Sequence, residues 1–117
     1  MTTKKPACCP KLEKLLNTRL FKALSDPTRV GLLVYLAEKC RPMTVNEAAQ
    51  CCPIDLSVVS RHLAVLRDAG ILVADKEGRE VRYAVRYPQL TKILRELADA
   101  FEGCCRINPA HLEGENR

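Results

Sequence analysis

The stretch Asp55-Leu56-Ser57-Val58-Val59-Ser60-Arg61-His62-Leu63-Ala64-Val65-Leu66-Arg67-Asp68-Ala69-Gly70 constrains the fold more than any other part of the chain. Wound at 3.6 residues per turn, it sets Leu56, Val59, Leu63 and Leu66 on one stripe and turns Ser57, Ser60, Arg61, His62 and Arg67 elsewhere. One face packs, and the other is left to touch something outside the fold. Asp55 is expected to cap the first turn through its carboxylate, and Gly70 to close the last by adopting a left-handed conformation.

Upstream, Thr44-Val45-Asn46-Glu47 has the spacing of a reciprocal capping box, so a short helix is expected from Val45 to about Cys52. Pro53 stops it by disfavouring helical geometry at the preceding residue. Helix, tight turn, and a second helix bearing small polar and basic side chains is a helix-turn-helix, whose second helix suits the DNA major groove. Downstream, Ile71 to Asp75 and Glu80 to Val85 flank a turn at Lys76-Glu77-Gly78-Arg79. That predicts a β-hairpin with Lys76, Arg79 and Arg82 at or beside its tip, a basic wing.

The flanks complete the outline. Residues 1–10 hold Lys4, Lys5, two prolines and Cys8-Cys9 without periodicity, and are expected to form a flexible arm. Leu12, Leu15, Leu16, Leu20, Phe21 and Leu24 predict one amphipathic helix from Lys11 to near Leu24. Asp26 and Pro27 predict a second, from Pro27 to about Lys39, with Val30, Leu33, Val34 and Leu36 in the core, Asp26 and Arg29 in structural roles, and Cys40 at its end. A last helix opens at Pro88, carries the stripe Leu90, Ile93, Leu94, Leu97, Ala98 and Phe101, and ends at Gly103. The first and last helices have more apolar surface than so small a unit needs, which points to a homodimer with two reading helices about one DNA turn apart. The expected organisation is an arm at 1–10, a winged helix-turn-helix at 11–103 that is mainly α with a β-hairpin, and a polar tail at 104–117.

At 117 residues the chain is expected to form one domain. No apolar run approaches the roughly 20 residues of a membrane span, and no charged-then-apolar leader opens the chain, so a cytoplasmic protein without a membrane partner is expected. A net charge of +5 suits double-stranded DNA without deciding the matter. The seven cysteines stand as Cys8-Cys9, Cys40, Cys51-Cys52 and Cys104-Cys105. An odd number, with adjacent members poorly placed to bridge each other, argues against a secreted disulfide framework and for soft-metal or metalloid chemistry in a reducing compartment. There is no Cys-x-x-Cys and no candidate base near a cysteine, so the chain is not expected to be an enzyme.

Three motifs in order, Leu-Phe-Lys-Ala-Leu-Ser-Asp-Pro-Thr-Arg at 20–29, Ser-Arg-His-Leu at 60–63 and Glu-Gly-Arg-Glu-Val-Arg-Tyr at 77–83, resemble the ArsR/SmtB metalloregulator family from about Leu12 to Phe101. The resemblance implies a homodimeric winged-helix repressor of a metal or metalloid resistance operon that leaves DNA when its inducer binds. The family's third-helix Glu-Leu-Cys-x-Cys pattern would fall around Met43, Thr44 and Asn46 and is absent. Its last-helix zinc pattern is absent too, since residues 88–102 contain no histidine. Some arsenite repressors of the family join a Cys-Cys pair on the N-terminal arm to a cysteine just after the second helix. Here those would be Cys8, Cys9 and Cys40, with Cys40 from the other subunit. Others use a pair at the end of the last helix, as Cys104 and Cys105 stand, usually with a third cysteine beyond it; none follows, and this is the second choice, including for a methylated arsenical.

Trivalent arsenic or antimony, the expected inducer, takes three thiolates in a pyramid. The alternatives are another thiophilic metal (cadmium, lead, mercury) and a thiol-redox or reactive-sulfur signal. Cys51 and Cys52 are expected to pack as small hydrophobes. Ser57, Val58, Ser60, Arg61 and His62 are the expected groove contacts, and Lys76, Arg79 and Arg82 the expected phosphate contacts.

Overall fold

A computed structural model describes residues 10–103. The order is α1 (Pro10–Leu15), α2 (Thr18–Ala23), α3 (Pro27–Lys39), β1 (Met43–Thr44), α4 (Val45–Ala48), a 3₁₀ turn (Ala49–Cys51), α5 (Leu56–Asp68), β2 (Leu72–Glu77), β3 (Glu80–Val85) and α6 (Tyr87–Gly103). Asn17–Lys92 forms one compact unit, and residues 10–16 group with 93–103 in another. The arm ahead of Pro10, the tail after Gly103, and with them Cys8, Cys9, Cys104 and Cys105, lie outside the described residues.

The predicted helix from Lys11 to Leu24 is two helices. Asn17 interrupts it, because its side-chain oxygen accepts from the backbone N–H of Arg19 (2.9 Å) and Leu20 (3.3 Å) and so caps a new start. Asparagine offers the backbone this local alternative, and the apolar spacing on either side does not register the break. In α3 the core residues are Leu32 and Leu36; Val30 and Val34, expected inside, are 38% and 47% exposed. Asp26 caps α3 as expected, accepting from Thr28 N–H at 2.8 Å and Arg29 N–H at 3.4 Å.

The capping box forms at Thr44 and Glu47: Glu47 N–H donates to Thr44 Oγ1 (3.2 Å), and Thr44 N–H donates to Glu47 Oε1 (3.0 Å). The helix it starts is shorter than expected and tightens into the 3₁₀ turn before Pro53. At Asp55 the expected side-chain cap is absent; its backbone carbonyl instead accepts from Val58 and Val59, both at 3.0 Å. The far end of α5 is as expected. Gly70 sits at φ 85°, with Gly70 N–H donating to Arg67 O (2.9 Å) and Ile71 N–H to Leu66 O (3.0 Å), the paired bonds of a Schellman closure.

Sheet order is β1-β3-β2, antiparallel throughout, with Met43 opposite Tyr83 and Leu72 opposite Val85. β1 is too short to be legible in sequence, yet it seats Met43 in the core at 1% exposure. The wing's turn is narrower than predicted. Pairing runs out to Glu77 and Glu80, leaving Gly78 and Arg79 as a two-residue loop, and Gly78 takes φ 64°, the sign a tight hairpin needs at that position. Val59, Leu63, Leu66, Ile71 and Leu72 are all at most 1% exposed, where α5 packs on α3 and on the base of β2.

Candidate nucleic-acid interface and thiol sites

The reading face is set by what α5 does not bury. Val59, Leu63 and Leu66 are inside, which leaves Ser57 and Arg61, one turn apart, exposed on another face. Arg61 has no ion pair among the described residues, whereas Arg67 is held by Asp68 at 3.0 Å. Val58, Ser60 and His62 are half-buried. Leu56, expected on the packed stripe, is 49% exposed and stands beside Ser57 at the outer end of the helix. Periodicity misassigned it because the packed stripe starts one turn later.

His62 is turned toward the fold. Its Nδ1 lies 3.3 Å from Arg29 Nη1, and since a guanidinium only donates, Nδ1 accepts and the ring proton sits on Nε2. The same Arg29 donates from Nε to Ala23 O (2.8 Å) and from Nη2 to Lys22 O (3.3 Å). One guanidinium thus holds the last carbonyls of α2, the first turn of α3 and the reading helix. Asp26 faces it at 3.9 Å. Burial works against the Asp26 carboxylate, but the N–H groups of Thr28 and Arg29 and the charge of Arg29 hold its pKa below the usual range.

The wing carries two cations that are free of ion pairs among the described residues, Lys76 and Arg79, both exposed. Arg82, expected to touch phosphate with them, is engaged otherwise: Nη2 meets Glu80 at 3.0 Å, Nε meets Glu77 at 3.5 Å and Nη1 meets Glu47 at 3.9 Å. Three carboxylates around one guanidinium leave little positive field to offer a phosphate. Glu47 in turn has its pKa lowered, first by the Thr44 N–H, against some burial, and then by Arg41 (3.3 Å) and Arg82.

Cys40 is exposed at the C-cap of α3, and it is the non-glycine residue with positive φ among those described, at φ 54° and ψ 36°. Its thiol donates to Ala37 O at 3.2 Å, and Tyr87 Oη, at the first residue of α6, donates to the same carbonyl at 3.3 Å. Tyr87 went unnoticed in the sequence because fifty positions separate it from Ala37. Cys51 and Cys52 are half-buried, not core, with their sulfurs 3.0 Å apart. Burial, then the neighbouring Cys52 thiol, push Cys51 up to about 12. Among the described residues no three His, Cys, Asp or Glu side chains are grouped to hold a metal ion, so Cys40 stands without its expected co-ligands there.

A helix-turn-helix domain family model matches residues 24–73, from the end of α2 into β2. The chain is 44% identical over 80 residues to the HTH-type transcriptional regulator CmtR of Mycobacterium tuberculosis, covering 68% of this chain but only 65% of that relative's length. It is 35% identical over 108 residues to a probable mercury resistance operon repressor of Streptomyces lividans, covering 86% and 82% of the two chains. A crystal structure described as a possible transcriptional regulator for arsenical resistance superposes with a TM-score of 0.60 at 31% identity, over 85% of this chain and 95% of the other. With helix-turn-helix, wing and extended sequence identity all in agreement, the chain belongs to the ArsR/SmtB family of winged-helix metalloregulators.

Proposed function

We propose that the protein is a repressor that binds operator DNA as a homodimer and releases it when arsenic(III) or antimony(III) is held by the thiolates of Cys8, Cys9 and Cys40. The observation that carries this reading is Cys40 itself, an exposed thiol held in a left-handed backbone conformation that an L side chain adopts only at a cost. Glycine would be the easier residue at such a C-cap, so the cost of a side chain there suits a residue whose sulfur has a role. The similarity to a probable mercury resistance operon repressor and to a possible transcriptional regulator for arsenical resistance supports a thiophilic inducer.

On the DNA side, Ser57 and Arg61 enter the major groove. Arg61, exposed on that face, is the residue suited to a bidentate contact with guanine, and exposed Leu56 suits a thymine methyl. Lys76 and Arg79 bind phosphate and set affinity. Dimerisation is supported by α6, a 17-residue helix with no buried residue, on which Leu94 and Phe101 are 47% and 55% exposed. On the inducer side, a trivalent metalloid accepts three thiolates in a pyramid, and tethering the arm of one protomer to Cys40 of its partner links the two halves of the dimer. Cys40 must lose its S–H to bind, which removes one of the two donors at Ala37 O and alters the seat of Tyr87 at the start of α6. Reading helices set by that dimer then lose their spacing on the two half-sites.

The test is arsenite-to-dimer stoichiometry and operator release for the seven single cysteine-to-serine variants. Loss of induction in the Cys8, Cys9 and Cys40 variants, with repression intact, supports the reading; full induction in all three, with loss in the Cys104 or Cys105 variant, moves the site to the tail. The relative named for mercury resistance favours one rival, a mercury-responsive repressor, which the same titration with mercuric ion separates by its stoichiometry and by which cysteines it needs.

A further inference from the structure

We propose that Cys51 and Cys52 form a second thiol site, taking a trivalent arsenical that carries one organic substituent, in the cleft between α3 and the 3₁₀ turn. The site is separate from Cys8, Cys9 and Cys40 and does not rest on the reading of those residues. Its two sulfurs are 3.0 Å apart and line a cleft of about 460 Å³. The opposite wall comes from α3: Val34, 47% exposed, and Tyr35 supply apolar surface, and Gly31 leaves the middle open, since a Cβ built there meets nothing within 4 Å.

Sulfur separation selects the class of ligand. Two thiolates on tetrahedral zinc stand about 3.8 Å apart, and a linear two-coordinate metal holds its sulfurs on opposite sides, wider still. A pyramidal trivalent arsenic, with bond angles near a right angle, draws them closest. No third ligand side chain is grouped with the pair among the described residues, so the third position on arsenic belongs to the ligand's own substituent; the cleft, whose rim also carries Thr28, Glu38 and Gln50, offers room for it against Val34 and Tyr35.

The ligation step balances without any change of oxidation state. Condensation with a dihydroxyarsine needs no free thiolate. Two As–S bonds form, two As–O bonds break, and each thiol proton leaves with a hydroxide as water, while arsenic stays trivalent and nothing is oxidised or reduced.

The experiment uses the full chain with Cys8, Cys9, Cys40, Cys104 and Cys105 replaced by serine, titrated with phenylarsenous acid. One equivalent per chain is expected, with loss of two titratable thiols. Adding Cys51→Ala or Cys52→Ala leaves a single sulfur and weakens binding on the order of 100-fold, because the second bond is an intramolecular one. Gly31→Leu, which suits a helix and fills the open middle of the cleft, weakens the phenyl compound more than methylarsenous acid. Absence of binding by the folded five-serine chain, or binding indifferent to Cys51→Ala, overturns the proposal. Should that chain not fold, the unsubstituted protein is treated under native conditions and digested: an arsenical bridging Cys51 and Cys52 supports the site, and adducts confined to the other cysteines overturn it.

Discussion

At Cys40 the backbone holds φ 54° and ψ 36°, a region where a side chain costs roughly 1–2 kcal/mol. Cys40→Gly relieves that strain while giving back part of it to the freer unfolded chain, so denaturant melts should show a gain of up to about 1 kcal/mol. The same variant should hold its operator in the presence of arsenite. A more stable repressor that can no longer be induced separates the sulfur's chemistry from its packing; a variant that is still induced removes Cys40 from the ligands. Cys51 makes a different prediction. Its pKa is raised, so the stability from keeping a neutral thiol is fully present below its ordinary value of 9.0 and is lost as pH climbs toward about 12. Cys51→Ala should flatten that alkaline decline in melts run across the same range, and in the unsubstituted protein at pH 8 iodoacetamide should label exposed Cys40 well before Cys51.

The short elements are held by polar bonds that single substitutions can test. Thr44→Ala removes the cap of α4 and should destabilise the chain by about 1 kcal/mol. The Asp26 and Glu47 carboxyls both have lowered pKa values, so what they contribute is present above their ordinary values of 3.8 and 4.5 and is lost as pH falls through the lowered ones. Asp26→Asn with Glu47→Gln should make stability less steep in acid. In the wing, Lys76→Ala and Arg79→Ala should each reduce the slope of log affinity against log salt by about 0.9 for every phosphate contact removed. Arg82→Ala should leave that slope nearly unchanged, because its charge is already met by Glu47, Glu77 and Glu80. An equal fall for all three would place Arg82 on the DNA.

For the whole molecule, α6 has no buried residue, and in the proposed homodimer a second copy would cover its apolar stripe by symmetry. Leu94→Glu with Phe101→Glu buries charge at that surface and should yield a monomer by sedimentation, with operator affinity falling because one half-site contact must act alone. A variant that stays dimeric and keeps its affinity would place the interface elsewhere. Arg61→Ala, by contrast, should leave the dimer and its melting curve unchanged and abolish specific binding.

The elements of the winged helix-turn-helix were legible in sequence because local rules act within a few residues: the capping box at Thr44 and Glu47, the left-handed Gly70, the hairpin turn that includes Gly78, the Asp26 cap, and the stripe through Val59, Leu63 and Leu66. Asn17 shows the limit of periodicity, since a side-chain cap can break a helix without disturbing the apolar spacing around it. What only the tertiary structure decided are relations between distant residues. His62 meets Arg29 across thirty-three positions, Arg82 gathers carboxylates from α4 and both wing strands, Tyr87 and Cys40 share one carbonyl, and α3 lays an open cleft against Cys51 and Cys52. Helix caps and turns depend on backbone groups a few bonds away, which the order of residues fixes; charge neutralisation, burial and shared acceptors depend on which surfaces meet, and only packing determines that.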